Sequence, residues 1–138
     1  MNDTLVIAPG TIPCIDRRCK IPGNHRHRLQ GEYATMESMV EDPTFRSIVT
    51  RLCRFYGLQC DHRRALAGNG LGGWPDLTIF GGTKKGILFR ELKRFGQGPS
   101  AAQREMGRLL TRSGGDFAVW TPEHLYRGII ETELIRLG

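Results

Sequence analysis

Residues 73–93, GWPDLTIFGGTKKGILFRELK, decide how the chain is read. Two β-forming runs, 76–80 and 87–93, flank the glycine-rich connection GGTKKG at 81–86. That pattern predicts a hairpin. With Phe80 set opposite Ile87, partner numbers in the antiparallel ladder add to 167, which places Asp76 opposite Glu91. Directly opposed residues share a face, with Cβ atoms about 4.5–5.5 Å apart. Lys93 lies two residues past Glu91 and points the same way.

Two facing carboxylates repel each other, and a divalent cation between them reverses the sign of that interaction. Hard cations such as Mg²⁺ or Mn²⁺ take carboxylate and carbonyl oxygens and keep several waters. A water acidified in this way, next to a lysine, is a nucleophile for phosphodiester hydrolysis. The plainer reading is a pair of edge acids matched with Lys84, Lys85 or Arg90. A register slip of one residue would move a residue to the other face.

Away from the hairpin, the pattern predicts a small α/β domain. Residues 1–31 read as an irregular arm, with a basic stretch from Arg17 to Arg28. Residues 32–40, EYATMESMV, are read as a short helix. Asp42-Pro43 reads as N-cap and first-turn proline of a second helix. Phe45, Ile48, Val49, Leu52, Phe55 and Tyr56 form its apolar stripe, and Gly57 ends it. Residues 58–63 are a candidate strand, and 65–75 a glycine-rich loop. Pro99-Ser100 opens a further helix with Ala102, Met106, Leu109 and Leu110 on one face, closed by Ser113-Gly114-Gly115. Phe117–Trp120 is a short strand. Thr121-Pro122 caps a last helix striped by Leu125, Ile129, Ile130 and Leu134.

The chain has 138 residues, 39% hydrophobic and 25% charged, which suits one globular domain with a real core. A net charge of +6 favours an acidic partner, nucleic acid before membrane. No apolar run approaches the roughly 20 residues of a membrane span. The opening MNDTLVIAPG lacks the basic flank of a signal peptide. Four cysteines are too few for a disulfide scaffold of this size, so a reducing, cytoplasmic compartment is expected.

The order Gly73-Trp74-Pro75-Asp76-Leu77, Phe89-Arg90-Glu91-Leu92-Lys93, Gly98-Pro99-Ser100-Ala101-Ala102-Gln103, a helix, then Phe117-Ala118-Val119-Trp120 resembles the VRR-NUC branch of the PD-(D/E)XK nucleases. The likeness covers roughly residues 40–125. It implies a restriction-endonuclease-like core, a mixed sheet flanked by helices over residues 32–138, preceded by the 1–31 arm. The activity implied is Mg²⁺- or Mn²⁺-dependent cleavage of DNA, often branched or Holliday-junction DNA in small viral, phage and bacterial members. Metal ligation is implied for Asp76, Glu91 and the Leu92 carbonyl, with Lys93 activating water and Gln103 in support. The family's further acid on its first helix matches Glu41 best, with Asp42, Glu37 and Glu32 as alternatives. An RNA or tRNA nuclease on the same fold, or a DNA-binding protein without chemistry, are the competing readings.

A second cluster, Cys14-x4-Cys19-x5-His25-x-His27, places two thiols and two imidazoles within fourteen residues. Such a set can close a tetrahedral Zn²⁺ site, and the arm has too few apolar residues to order itself. The competing reading is a disordered basic arm. Cys53 is expected in the core, and Cys60 and His62 are weaker candidate ligands. Gly68 to Gly73 contain a formal G-x-G-x-x-G, but a strand rather than a helix follows it, so a dinucleotide site is not expected. Arg63, Arg64, Lys84, Lys85, Arg90 and Arg94 flank the acidic pair and read as a basic rim for DNA. Trp74 is read as packing the loop in preference to stacking on a base. Cutting a junction takes two symmetric incisions, so a homodimer is expected.

Overall fold

The computed structural model describes residues 7–29, 36, 39, 41–62, 72–82 and 86–138. Elements follow in the order β1 (Thr11–Pro13), β2 (Arg26–Arg28), α1 (Arg46–Phe55), β3 (Gln59–His62), β4 (Leu77–Phe80), β5 (Ile87–Leu92), α2 (Ala101–Arg112), β6 (Asp116–Trp120), α3 (Pro122–Tyr126) and α4 (Ile129–Leu137). The four-stranded sheet has the order β3-β4-β5-β6 and is mixed: β3/β4 and β4/β5 are antiparallel, β5/β6 parallel. It is an α/β fold, with helices flanking the sheet.

The central hairpin has the expected register. Phe80 pairs with Ile87 and Leu77 with Arg90. The connection closes with the Gly81 amide donating to the Gly86 carbonyl at 3.0 Å. Alternation along β5 sends Leu88, Arg90 and Leu92 to one face and Phe89 and Glu91 to the other. On the first face lies the main core: Ile48, Val49, Leu52 and Cys53 of α1, Leu77 and Ile79 of β4, Trp120, and Leu125, Ile130, Leu134 and Leu137 of the last two helices. Against the second lies α2, where Gly107 lets Phe117 approach so closely that an added Cβ would sit 2.3 Å from its ring.

Several local readings change. The stretch read as irregular contains the β1–β2 ladder, Thr11↔Arg28 to Pro13↔Arg26. It docks on the body: Leu29 is buried, Gly10 donates to the Tyr126 carbonyl at 2.8 Å, and Arg26 grips the buried Glu131 through both Nη atoms at 2.9 and 2.7 Å. The Tyr56 hydroxyl donates to the same carboxylate, so one acid ties α1, α4 and the N-terminal hairpin together. Asp42-Pro43 does not start an α-helix. Residues Glu41–Phe45 form a π-type turn, and regular helix begins at Arg46. Proline has no N–H and clashes with the carbonyl four residues back, which favours a wider turn there.

Phe55 is 48% exposed at the end of α1, edge-on to Tyr56. The last helix is two. Gly128, at φ 75°, breaks it, and a Cβ there would meet Ile7 at 2.8 Å. Ile129 is consequently exposed while Leu125, Ile130 and Leu134 fill the core. The apolar stripe of Leu125, Ile130 and Leu134 is thus used within the chain. The helix read over 32–40 lies outside the described residues except for Met36 and the fully buried Met39. No helix among the described residues is long and apolar enough to cross a membrane.

Candidate functional site

Glu91 is the centre of the acidic site. Strand alternation turns it toward α2, and it is only 1% exposed. Ser100 caps α2 and forms a capping box with Gln103: the Gln103 amide donates to Ser100 Oγ at 3.2 Å, and the Ser100 amide donates to Gln103 Oε1 at 2.8 Å. This leaves Gln103 Nε2 to donate to Glu91 Oε1 at 2.6 Å. Lys93 Nζ lies 3.5 Å from the same oxygen. Glu91 Oε2 is buried and receives no hydrogen bond. Asp76 sits at a bend just before β4, with its Oδ2 accepting the Leu92 amide at 2.8 Å.

The electrostatics follow from that geometry. Burial first, then the charge of Asp76 beside it, push the Glu91 carboxyl up to about 8. Lys93 opposes the shift, and Glu41 adds to it. Lys93 therefore does not offset in full the burial and the neighbouring acids.

Asp76 borders a small open cleft of about 40 Å³ with Glu41, Arg46, His62 and Leu92. Leu92 has its side chain in the core, so it meets the cleft through its backbone. Arg46 Nη1 lies 3.1 Å from His62 Nε2. Arginine can only donate, so Nε2 accepts and the other ring nitrogen carries the proton. Gly73 fixes the approach of this loop. At φ +80° it packs on the first turn of α2, where a Cβ would lie 2.3 Å from the Ala102 carbonyl oxygen.

The thiol–imidazole set is drawn tighter. One ligand atom from each of Cys14, Cys19, His25 and His27 lies within 4.8 Å of all the others, the one such group of three or more found among the described residues. Cys19 Sγ is 3.3 Å from His25 Nε2 and 3.5 Å from His27 Nε2, and the two Nε2 atoms are 3.0 Å apart. The edges of a Zn(Cys)₂(His)₂ tetrahedron are roughly 3.3–3.8 Å, given the usual bond lengths. His25 Nδ1 is satisfied by the Gly23 carbonyl at 2.9 Å, which leaves Nε2 to face the cluster. The backbone amide of Ile21 and the two imidazoles bring the Cys19 thiol down to about 7, while burial raises that of Cys14. The local fold brings this about: the Cys14 amide donates to the His25 carbonyl, extending the β1–β2 ladder across the cluster. These four side chains can bind a metal such as zinc.

No family model, curated protein or solved structure matches the chain.

Of the residues expected in the acidic site, Asp76, Glu91, Leu92, Lys93, Gln103 and Glu41 come together. The side chain of Asp42 and all of Glu37 and Glu32 lie outside the described residues, as do Arg63, Arg64, Lys84 and Lys85. Arg90 does not belong to a basic rim. It is 1% exposed, paired with Asp116 at 3.0 Å and Glu133 at 3.1 Å, and lies over the Trp120 ring. Alternation places it on the core face, opposite to Glu91. Trp74 meets Phe89 edge-on and is 40% exposed. Cys53 is buried with Cys60 beside it, away from the thiol–imidazole set, and His62 serves the acidic cleft instead. Arg46 and His62 were missed as site residues. His62 pairs with Leu77, next to Asp76, but the two are separated by fourteen residues of sequence, too many for the register to be read from a turn.

Proposed function

We propose that the chain is a divalent-metal-dependent DNA endonuclease of the PD-(D/E)XK, VRR-NUC type, on a restriction-endonuclease-like core. One observation carries the reading: the buried Glu91 Oε2 has no donor and stands next to Asp76. A protein does not leave an ionised, buried carboxylate oxygen bare unless a cation or proton is meant to meet it. The donor set fits Mg²⁺ or Mn²⁺: carboxylates of Asp76 and Glu91, the Leu92 carbonyl, and Glu41 across the cleft, all hard oxygens. Such an ion, when bound, neutralises the acids and acidifies a water for attack on phosphorus.

The remaining steps fall to the protein. Gln103 holds Glu91 Oε1 and so fixes the rotamer of Glu91. The Leu92 amide does the same for Asp76. Lys93, held beside Glu91 Oε1, orients the attacking water and stabilises charge building on the phosphate oxygens. Cys14, Cys19, His25 and His27 hold a structural Zn²⁺; sulfur and imidazole nitrogen suit that ion and do not suit Mg²⁺. A junction-cutting form of the enzyme acts as a homodimer, one site per strand.

The deciding experiment is a cleavage panel of linear duplex, flap, single-stranded and four-way DNA, and a structured RNA, with Mg²⁺ or Mn²⁺. Metal-dependent cutting of DNA, lost in Asp76→Ala, is the expected result. Cutting of RNA alone would move the reading to an RNA nuclease. Binding without cutting by any metal would leave a DNA-binding protein.

A further inference from the structure

Cys14, Cys19, His25 and His27 enclose a loop whose charges the acidic site does not use. Arg17, Arg18, Lys20 and Ile21 are all exposed on it. No ion pair among the described residues engages Arg17, Arg18 or Lys20. Their backbone is nevertheless fixed. Asp16 Oδ1 accepts the Arg18 amide at 2.8 Å, and the Asp16 carbonyl accepts the Cys19 amide at 3.1 Å, a tight turn that aims the intervening side chains outward. The loop is bolted to α1, where Arg51 Nη2 donates to the Ile15 carbonyl at 2.9 Å. Arg46, five residues earlier on α1, lines the acidic cleft. At 1.5 Å of rise and 100° per residue the two arginines are about 8 Å apart along the helix and leave it about 140° apart, so the loop and the cleft lie on different sides of α1.

We propose that this metal-stapled loop is a DNA-docking element, in which Arg17, Arg18 and Lys20 contact backbone phosphates of the DNA. The proposal rests on the nuclease reading for the identity of its partner. A cation held by two thiolates and two neutral imidazoles adds no net charge, so the metal acts on binding through order. Without it the three side chains lose their common direction, and each must be immobilised anew on contact. The loop also offsets the acidic site, whose carboxylates repel a phosphate backbone.

The test uses the full chain with Asp76→Asn, so that DNA is bound but not cut, in buffer free of added Mg²⁺ but without a chelator that would strip the thiols. Binding of fluorescein-labelled duplex and four-way DNA is followed by anisotropy over a salt series. Relative to that parent, Arg17→Ala/Arg18→Ala/Lys20→Ala should bind at least about 10-fold more weakly at low salt. Its log–log salt slope should be shallower by about 2 to 3, since each phosphate contact contributes roughly 0.9. Its melting temperature and zinc content should be unchanged, because the three side chains are exposed. Cys19→Ser should lose zinc and part of the affinity without changing the formal charge of the loop's cations. Unchanged affinity and slope in the triple variant overturn the proposal, as does tighter binding to RNA or to phosphatidylserine vesicles than to DNA. If the slope changes as expected but the wild type cuts nothing with any metal, the docking element stands and the nuclease reading falls.

Discussion

Replacing Glu91 by glutamine separates what the carboxylate does for the fold from what it does for chemistry. In the folded chain the carboxyl keeps its proton up to about 8, against an ordinary value of 4.5. Between those two values the folded state binds more protons than the unfolded state, so stability falls as pH rises through the window. Each pH unit costs about 1.4 kcal/mol, which makes the metal-free protein about 3 kcal/mol less stable at pH 7 than at pH 4.5 from this group alone. Above pH 8 the loss levels off at about 5 kcal/mol. Glutamine keeps an acceptor for Gln103 Nε2 and offers Asp76 a donor where Glu91 Oε2 has none. Urea unfolding at pH 5, 7 and 8.5, with Mg²⁺ dialysed out and thiol-bound metal left in place, reads the effect. Glu91→Gln should flatten the pH dependence and raise stability at pH 8.5 by several kcal/mol, on the order of the lost penalty. Millimolar Mg²⁺ should stabilise the wild type more at pH 8.5 than at pH 5, and the variant at neither. A wild-type protein whose stability is flat across this range, or a variant that still responds to Mg²⁺, refutes the account of an uncompensated buried acid awaiting a cation.

Lys93→Ala should reduce DNA cleavage at least about 100-fold, as removal of one charge-stabilising donor does in other active sites, while leaving DNA affinity nearly intact; wild-type turnover would remove the lysine from the mechanism. Elemental analysis of protein purified under reducing conditions should find about one zinc per chain, lost in Cys19→Ser, and a folded protein without zinc would end the structural-metal reading. Gly73→Ala should lower cleavage more than stability, because a Cβ 2.3 Å from the Ala102 carbonyl oxygen must push the Trp74-Pro75-Asp76 loop off α2; an active variant with a normal melting curve would show that the loop position is not critical. Gly107→Ala, against the Phe117 ring, should cost about 1–3 kcal/mol by overpacking, measured by thermal unfolding.

Several local arrangements of this protein were legible in its sequence. Glycines bounding 81–86 fixed the Phe80–Ile87 register and brought Asp76 to Glu91. Pro99-Ser100 announced the start of α2, and the spacing of Cys14, Cys19, His25 and His27 announced a set of side chains that could hold a metal. Each depends on residues close in the chain, where backbone geometry leaves few choices. Long-range pairings were not legible. Arg90 looked like a surface cation because nothing local says that Asp116 and Glu133 will meet it in the core. The docking of the N-terminal hairpin hangs on Arg26 and Glu131, 105 residues apart. The break of the last helix at Gly128 is tied to the close approach of Ile7. His62 and Arg46 entered the cleft through a β3–β4 register set across fourteen intervening residues. These contacts are settled by how the layers bury their surfaces against one another, since a partner distant in sequence is chosen by the packing of the whole chain and leaves no periodic mark on either segment.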